Sequence, residues 1–225
     1  MIAVDDHPAI REAVADTVAD QPDMDLRGVA GSAAEAFALV RRERPDVAVV
    51  DIALGDAHGL DLVQNLRAEH ERLEVVVFSM YEAAVYAERA LRAGARGYVV
   101  KSEPTSAVAE AIRAAAAGEI YLDRRAASRL LARAANGSPR EGDDDPCLGE
   151  LTDREMAVFQ LLGEGRLVDD IAERLNLSRK TVETYRRRAK EKLGFETVNE
   201  LMQFAIGYVE ALHGPGGRKL PRAPR

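Results

Sequence analysis

Two hydrophobic patterns alternate along the first half of the chain. Short β-like runs stand at 2–4, 25–30, 47–50, 75–78 and 97–100. Between them, at 8–20, 32–44, 59–69, 83–93 and 105–117, apolar residues recur every three or four positions. The first pattern fits strands and the second amphipathic helices. Local signals agree with these boundaries. Pro8 suits a first helical position, where its missing N–H costs nothing. Ser32 with Glu35 forms a capping box, and Gly94 suits a helix C-cap. Five strands alternating with five helices predict an α/β fold, a five-stranded doubly wound parallel sheet covered on both faces.

Beyond residue 122 the pattern turns helical. A helix is expected over 123–135, followed by 136–146, whose Gly, Pro, Ser and acidic residues cannot build a core and read as a flexible linker. Thr152 and Glu155 form a capping box opening a helix that Gly165 ends. A short helix follows at 168–175, then one capped by Ser178 and stopped by Gly194. Thr197 and Glu200 open a last helix toward residue 212. The expected organisation is an α/β domain at 1–122, a linker helix and acidic linker at 123–149, a small all-α domain at 150–212 and a disordered basic tail at 213–225.

Composition narrows the setting. A chain of 225 residues is long enough for two domains with separate cores. No apolar stretch approaches the roughly 18 residues of a membrane span, and the opening residues lack the features of a signal peptide. The single cysteine, Cys147, allows no internal disulfide and suits a reducing cytosol. A cytoplasmic protein without a membrane partner is expected. The net charge of −7 argues against indiscriminate nucleic-acid binding. Charge is nevertheless uneven. Arg179, Lys180, Arg186, Arg187, Arg188, Lys190 and Lys192 crowd one segment, opposed there only by Glu183 and Glu191.

The strand ends carry the chemistry. Asp5-Asp6 follows the first strand, Asp51 the third, Ser79 the fourth and Lys101 the fifth. In an open parallel sheet these ends share one edge, where ligands bind. Singly, each residue is explicable as a cap, a turn hydroxyl or a surface lysine. Together, three carboxylates and one ammonium describe a divalent-metal and phosphoryl site. A carboxylate attacks phosphorus in line only if charge gathering on the oxygens is neutralised, which Mg2+ in octahedral oxygen coordination does well. Asp6 and Asp51 are the expected direct ligands, Asp5 acts through a bound water, and the Ala53 carbonyl supplies a further oxygen. Lys101 pairs with the incoming phosphate, and Ser79 hydrogen-bonds one of its oxygens.

The basic segment reads as a DNA-facing helix. At about 3.6 residues per turn, Val182, Ala189 and Leu193 share a core face with Tyr185 beside them. Lys180, Thr184, Arg187 and Glu191 point away, flanked by Glu183 and Arg188. The tight connection Asn176-Leu177 from the preceding short helix suits a helix-turn-helix, whose second helix enters the major groove.

These motifs resemble two known modules. Residues 2–117 are similar to the receiver domain of two-component response regulators, a flavodoxin-like fold. The match lies in Asp5-Asp6-His7-Pro8, in Asp51 followed by Gly59, in Ser79, and in the run Gly94-Ala95-Arg96-Gly97-Tyr98-Val99-Val100-Lys101. The resemblance implies that Asp51 accepts phosphate from a histidine kinase and that Ser79 and Tyr98 then shift together. Residues 151–205 resemble the LuxR-type helix-turn-helix of the NarL/FixJ class, through Leu151-Thr152-Asp153-Arg154-Glu155, Asp170-Ile171-Ala172, the run from Leu177 to Arg186, and Lys192-Leu193-Gly194. Lys180 and Thr181 are then implied phosphate contacts, Glu183, Thr184 and Arg187 base-facing residues and Arg188 a backbone contact on double-stranded promoter DNA. A dimer contact through the last helix is implied when the protein is phosphorylated. The expected protein is a switch that controls transcription and not an enzyme, with the receiver masking its DNA-binding half until phosphate arrives.

The chain departs from the family in places. Leu54-Gly55 stands where Met-Pro is usual, Tyr185 where His is frequent, and Val168-Asp169 where Asn-Lys is common. Only four residues precede the acidic pair, and a natural start upstream of Met1 would lengthen the first strand. Leu54-Gly55 and this short strand leave open a regulator that works without phosphate, its receiver an interaction module. A haloacid-dehalogenase-like phosphatase would want a second acid at position 53, where Ala53 stands.

Overall fold

The computed structural model describes residues 1–52, 54, 59–81, 83–135, 148, 150–175, 177–213 and 223. Ala53, the acidic linker sequence and most of the C-terminal tail lie outside these residues. The chain divides into two compact units, Met1–Leu131 and Ala132–Arg225.

In the first unit, strands β1 (Ile2–Val4), β2 (Gly28–Ala30), β3 (Val47–Val50), β4 (Glu74–Ser79) and β5 (Gly97–Val100) alternate with helices α1 (Pro8–Ala19), α2 (Ala33–Glu43), α3 (Gly59–Glu69), α4 (Ala83–Arg92) and α5 (Thr105–Ala116). The strands form one parallel sheet in the order β2-β1-β3-β4-β5. Strands β1, β3 and β5 are buried along their whole length, as continuous apolar runs require in a sheet covered on both faces. Helices α1 and α5 pack together, and α3 packs against both α2 and α4. The α1–α5 side of the core joins Val14 and Val18 to Val47, Val49, Val76, Val99 and Ile112.

Two local expectations are corrected. Strand β2 is shorter than the predicted run 25–30, because among the described residues β1 is its one neighbour and pairs with it over three residues only, Ile2 to Val4. Ser32 accepts from the Glu35 amide at 3.3 Å, but the Glu35 carboxylate takes the Gly31 N–H at 2.8 Å, so the predicted capping box is shifted by one donor. Gly94 does adopt a positive φ of 100° at the end of α4.

Helix α6 (Arg124–Ala135) follows, with Asp123 accepting from the amides of Arg125 and Ala126 at 2.6 and 3.0 Å. The second unit then builds on α7 (Asp153–Gly163), α8 (Val168–Arg174), α9 (Arg179–Lys192) and α10 (Val198–His213). Here the box is reciprocal: Thr152 caps the Glu155 amide and Glu155 takes the Thr152 N–H. Phe159 of α7 packs against Phe204 and Tyr208 of α10, ring centroids 5.7 and 5.6 Å apart. The two helices meet so closely at Gly163 that an added Cβ would lie 2.5 Å from the Ala205 carbonyl oxygen. Among the described residues, no helix is long and apolar enough to cross a membrane.

Candidate functional site

Strand register brings the predicted residues to one edge. Val4 lies opposite Val50, and Val50 opposite Val77, so Asp5 and Asp51 emerge side by side from the adjacent strands β1 and β3. The ladder continues one step past the strands. The Asp51 amide donates to the Val4 carbonyl at 2.8 Å, and the Lys101 amide to the Ser79 carbonyl at 2.7 Å. Asp5, Asp51 and Ser79 are all buried. Lys101 Nζ lies 2.6 Å from both Asp5 Oδ2 and Asp51 Oδ2, with all three side chains withdrawn from solvent. Burial alone would lower the lysine pKa. The charges of Asp51 and Asp5 outweigh it and raise the value above 10.5, so the group is a permanent cation at neutral pH.

Gly59 explains the sequence interval after Asp51. A Cβ there would overlap the backbone of Ile52, so α3 can begin against the residue following Asp51 only with glycine at this position.

The donor chemistry fits Mg2+. Asp5, Asp6 and His7 each present a ligand atom within 4.8 Å of the others. Carboxylate oxygens are the hard ligands Mg2+ prefers, whereas the imidazole is not. His7 instead lies with Nδ1 2.6 Å from Asp6 Oδ1, and its amide donates to Asp5 Oδ1 at 2.9 Å. In ionised form Asp5, Asp6 and Asp51 carry one negative charge each against the single ammonium of Lys101. The two charges left over match one divalent cation. The Ala53 carbonyl, expected as a further ligand, lies outside the described residues.

Ser79 and Tyr98 stand behind this edge. Both are fully buried. The Tyr98 hydroxyl donates to the Tyr81 carbonyl at 2.9 Å, while the Tyr81 amide donates to Ser79 Oγ at 3.3 Å. The Tyr81 ring stacks on Tyr86 with centroids 4.8 Å apart. Tyr98 therefore reaches the expected phosphate-sensing serine through one intermediate residue. Sequence reading missed Tyr81, which works through its backbone and so leaves no side-chain signal. It also missed Tyr121, whose carbonyl accepts from the Tyr98 amide at 3.0 Å and extends the edge of β5 by an isolated bridge.

In the second unit, Val182, Ala189 and Leu193 of α9 are buried, as predicted from the helical period, and Tyr185 is half-buried beside them. Lys180, Glu183, Arg187 and Arg188 are exposed, and Thr181 and Thr184 half-exposed. Ser178 caps the helix, accepting from the Thr181 amide at 3.1 Å. The two hydroxyls lie 2.8 Å apart. Thr184 Oγ1 donates back to the Lys180 carbonyl at 2.9 Å.

Much of the basic excess on this helix is already engaged. Lys192 reaches Glu155 at 2.6 Å and the Glu150 carbonyl at 3.0 Å, tying the end of α9 to the start of α7. Lys190 donates to the Glu196 carbonyl. Arg187 pairs with both oxygens of Glu191, and Arg179 with both oxygens of Asp169. Among the described residues, Lys180 and Arg188 of the expected DNA contacts carry no ion pair. The count of basic residues thus overstated the free positive charge, since several partners lie ten or more positions away in sequence.

Comparison with known proteins agrees with this division. Residues 1–113 match the model for response regulator receiver domains, and residues 149–205 that for the luxR family of bacterial regulatory proteins. The chain is 38% identical over 202 residues to the DNA-binding transcriptional activator DevR/DosR of Mycobacterium tuberculosis, covering 90% of this chain and 91% of that one. It is similar to the structure of a LuxR-family two-component response regulator from Aurantimonas, with 29% identity and a TM-score of 0.56, over 60% of this chain and 96% of that one. The fold also resembles that of Salmonella RcsB bound to promoter DNA in the presence of the phosphomimetic BeF3−, with 24% identity and a TM-score of 0.57 over 91% and 96% of the two chains. The chain belongs to the response regulators that join a receiver domain to a LuxR-type DNA-binding domain.

Proposed function

We propose that this cytoplasmic transcription regulator is switched by phosphorylation of Asp51. The observation that carries the proposal is the buried cluster of Asp5, Asp51 and Lys101, in which one ammonium touches two carboxylates at 2.6 Å. A histidine kinase is the donor. An Asp51 oxygen attacks phosphorus as the bond to the phosphohistidine nitrogen breaks, and the departing imidazole keeps that electron pair. Asp6 and Asp51, with Asp5, would hold Mg2+, which would supply positive charge against the phosphoryl oxygens. Lys101 exchanges a carboxylate oxygen for a phosphoryl oxygen, and the Ser79 hydroxyl turns toward the same group. Because Ser79 Oγ accepts from the Tyr81 amide and Tyr81 accepts from Tyr98, that turn disturbs the hydrogen bonds that seat Tyr98.

The output is binding to double-stranded promoter DNA as a dimer, with α9 in the major groove. Lys180, Thr181 and Arg188 contact the backbone, and Glu183, Thr184 and Arg187 face the bases. Arg187 then exchanges Glu191 for a base edge or shares itself between them. The domain limits 1–122, 123–149, 150–212 and 213–225 serve as the working division.

Incubating the full chain with acetyl phosphate and Mg2+ tests the chemistry by intact mass. One phosphoryl adduct is expected in the wild type and none in Asp51→Asn or in the presence of EDTA. An adduct that persists in Asp51→Asn would place the acceptor elsewhere.

A further inference from the structure

The ion pair between Asp169 and Arg179 joins the first turn of α8 to the first residue of α9. Arg179 Nη1 lies 3.1 and 3.0 Å from the two oxygens of Asp169, and its Nε lies 3.5 Å from Glu183. Both side chains of the main pair are exposed, at 64% and 69%. A pair this exposed adds little to folding stability. Asp170, by contrast, faces its own helix start, its carboxylate accepting from the Leu167 amide. Asp169 is thus the acid of α8 that addresses α9.

Arg179 immediately precedes Lys180 and Thr181, the residues assigned to DNA phosphates. At that position a free guanidinium would meet the duplex backbone and displace a condensed counterion. Paired with Asp169 it carries no net charge to the duplex, and the acid adds repulsion if the arginine leaves. We infer that Asp169 withholds Arg179 from the phosphate backbone and so limits sequence-independent binding by this helix-turn-helix. The inference rests on the DNA-binding reading above. The consequence is a gain in selectivity: phosphate contacts strengthen binding to every sequence, whereas the base-facing residues act only at the right one.

The test is binding of the full chain, with Mg2+ and beryllofluoride, to a labelled random-sequence duplex over a salt series. Asp169→Asn keeps the side-chain shape and removes the charge, and both positions are exposed, so the fold is kept. In Asp169→Asn the plot of log K against log[salt] is expected to steepen by about one, from one extra phosphate contact, which is worth about three- to fourfold between about 50 and 200 mM salt. In the Arg179→Ala background the same substitution leaves the slope unchanged. An unchanged slope in Asp169→Asn, or equal steepening with and without Arg179, would overturn the inference while leaving DNA binding intact. A wild type that binds no duplex at any salt would overturn the DNA-binding reading and this inference with it.

Discussion

A lysine that touches two buried carboxylates balances their charge and, in the reaction proposed above, is placed to meet the phosphoryl group. Removing it should expose both roles. Lys101→Met leaves Asp5 and Asp51 facing one another without their cation, and breaking a buried pair costs about 3–5 kcal/mol. Hydrogen exchange of the β3 amides is expected to show that loss in EDTA and to show much of it recovered on adding Mg2+. A variant as stable as wild type without metal would mean the carboxylates do not depend on Lys101. Glu155 gives a second residue-scale prediction, this time with pH. Burial pushes its carboxyl up, but the Lys192 ammonium and the Thr152 amide outweigh that, leaving the pKa below 4.5. A depressed folded value means stability that is present above about pH 4.5 and is lost as pH falls through the folded value. The protection factors of the α7 amides, with intrinsic exchange divided out, are therefore expected to fall on acidification, and Glu155→Gln to flatten that response. An acid limb of the same steepness in the variant would remove Glu155 from the explanation.

Among the elements, α7 and α10 are held at the closest approach by Gly163. Alanine there would gain roughly 1 kcal/mol in helix propensity. Against this, its Cβ would lie 2.5 Å from the Ala205 carbonyl oxygen and equally near Val209, and separating the helices is expected to cost about 1–3 kcal/mol. Gly163→Ala should lower the melting temperature of the DNA-binding unit, and a rise would show that the helices have room to part. Periodicity and capping signals together located the strands and helices of the described residues, because each element buries a face whose spacing its own geometry fixes. What periodicity did not show was pairing at a distance. The length of β2 depends on what β1 offers it. The free charge of α9 depends on Asp169 and Glu155, which lie in the two preceding helices, α8 and α7. Gly163 read as an unremarked helical residue for the same reason, its constraint coming from α10.

For the molecule as a whole, the claim is that chemistry at the Asp51 edge governs contact with DNA. The edge itself was legible: Asp5, Asp6, Asp51, Ser79 and Lys101 stand at the ends of β1, β3, β4 and β5, and a parallel sheet must bring such ends together. The route away from it was not, since the Tyr98 hydroxyl and amide both pair with backbone carbonyls, those of Tyr81 and Tyr121. Backbone partners have no residue type to recognise. The Tyr98 amide hydrogen-bonds the Tyr121 carbonyl, in the segment that leads into α6, so the proposed shift of Tyr98 would be felt there. A ligand biases such a switch only by its differential affinity for the two states. The decisive measurement is therefore affinity for an operator selected from a random DNA pool, with and without Mg2+ and beryllofluoride, for the wild type and Asp51→Asn. Tighter, dimeric binding that requires Mg2+, beryllofluoride and Asp51 together is the predicted result. Equal affinity in every condition would contradict it and reduce the receiver to an interaction module beside an independent DNA-binding domain.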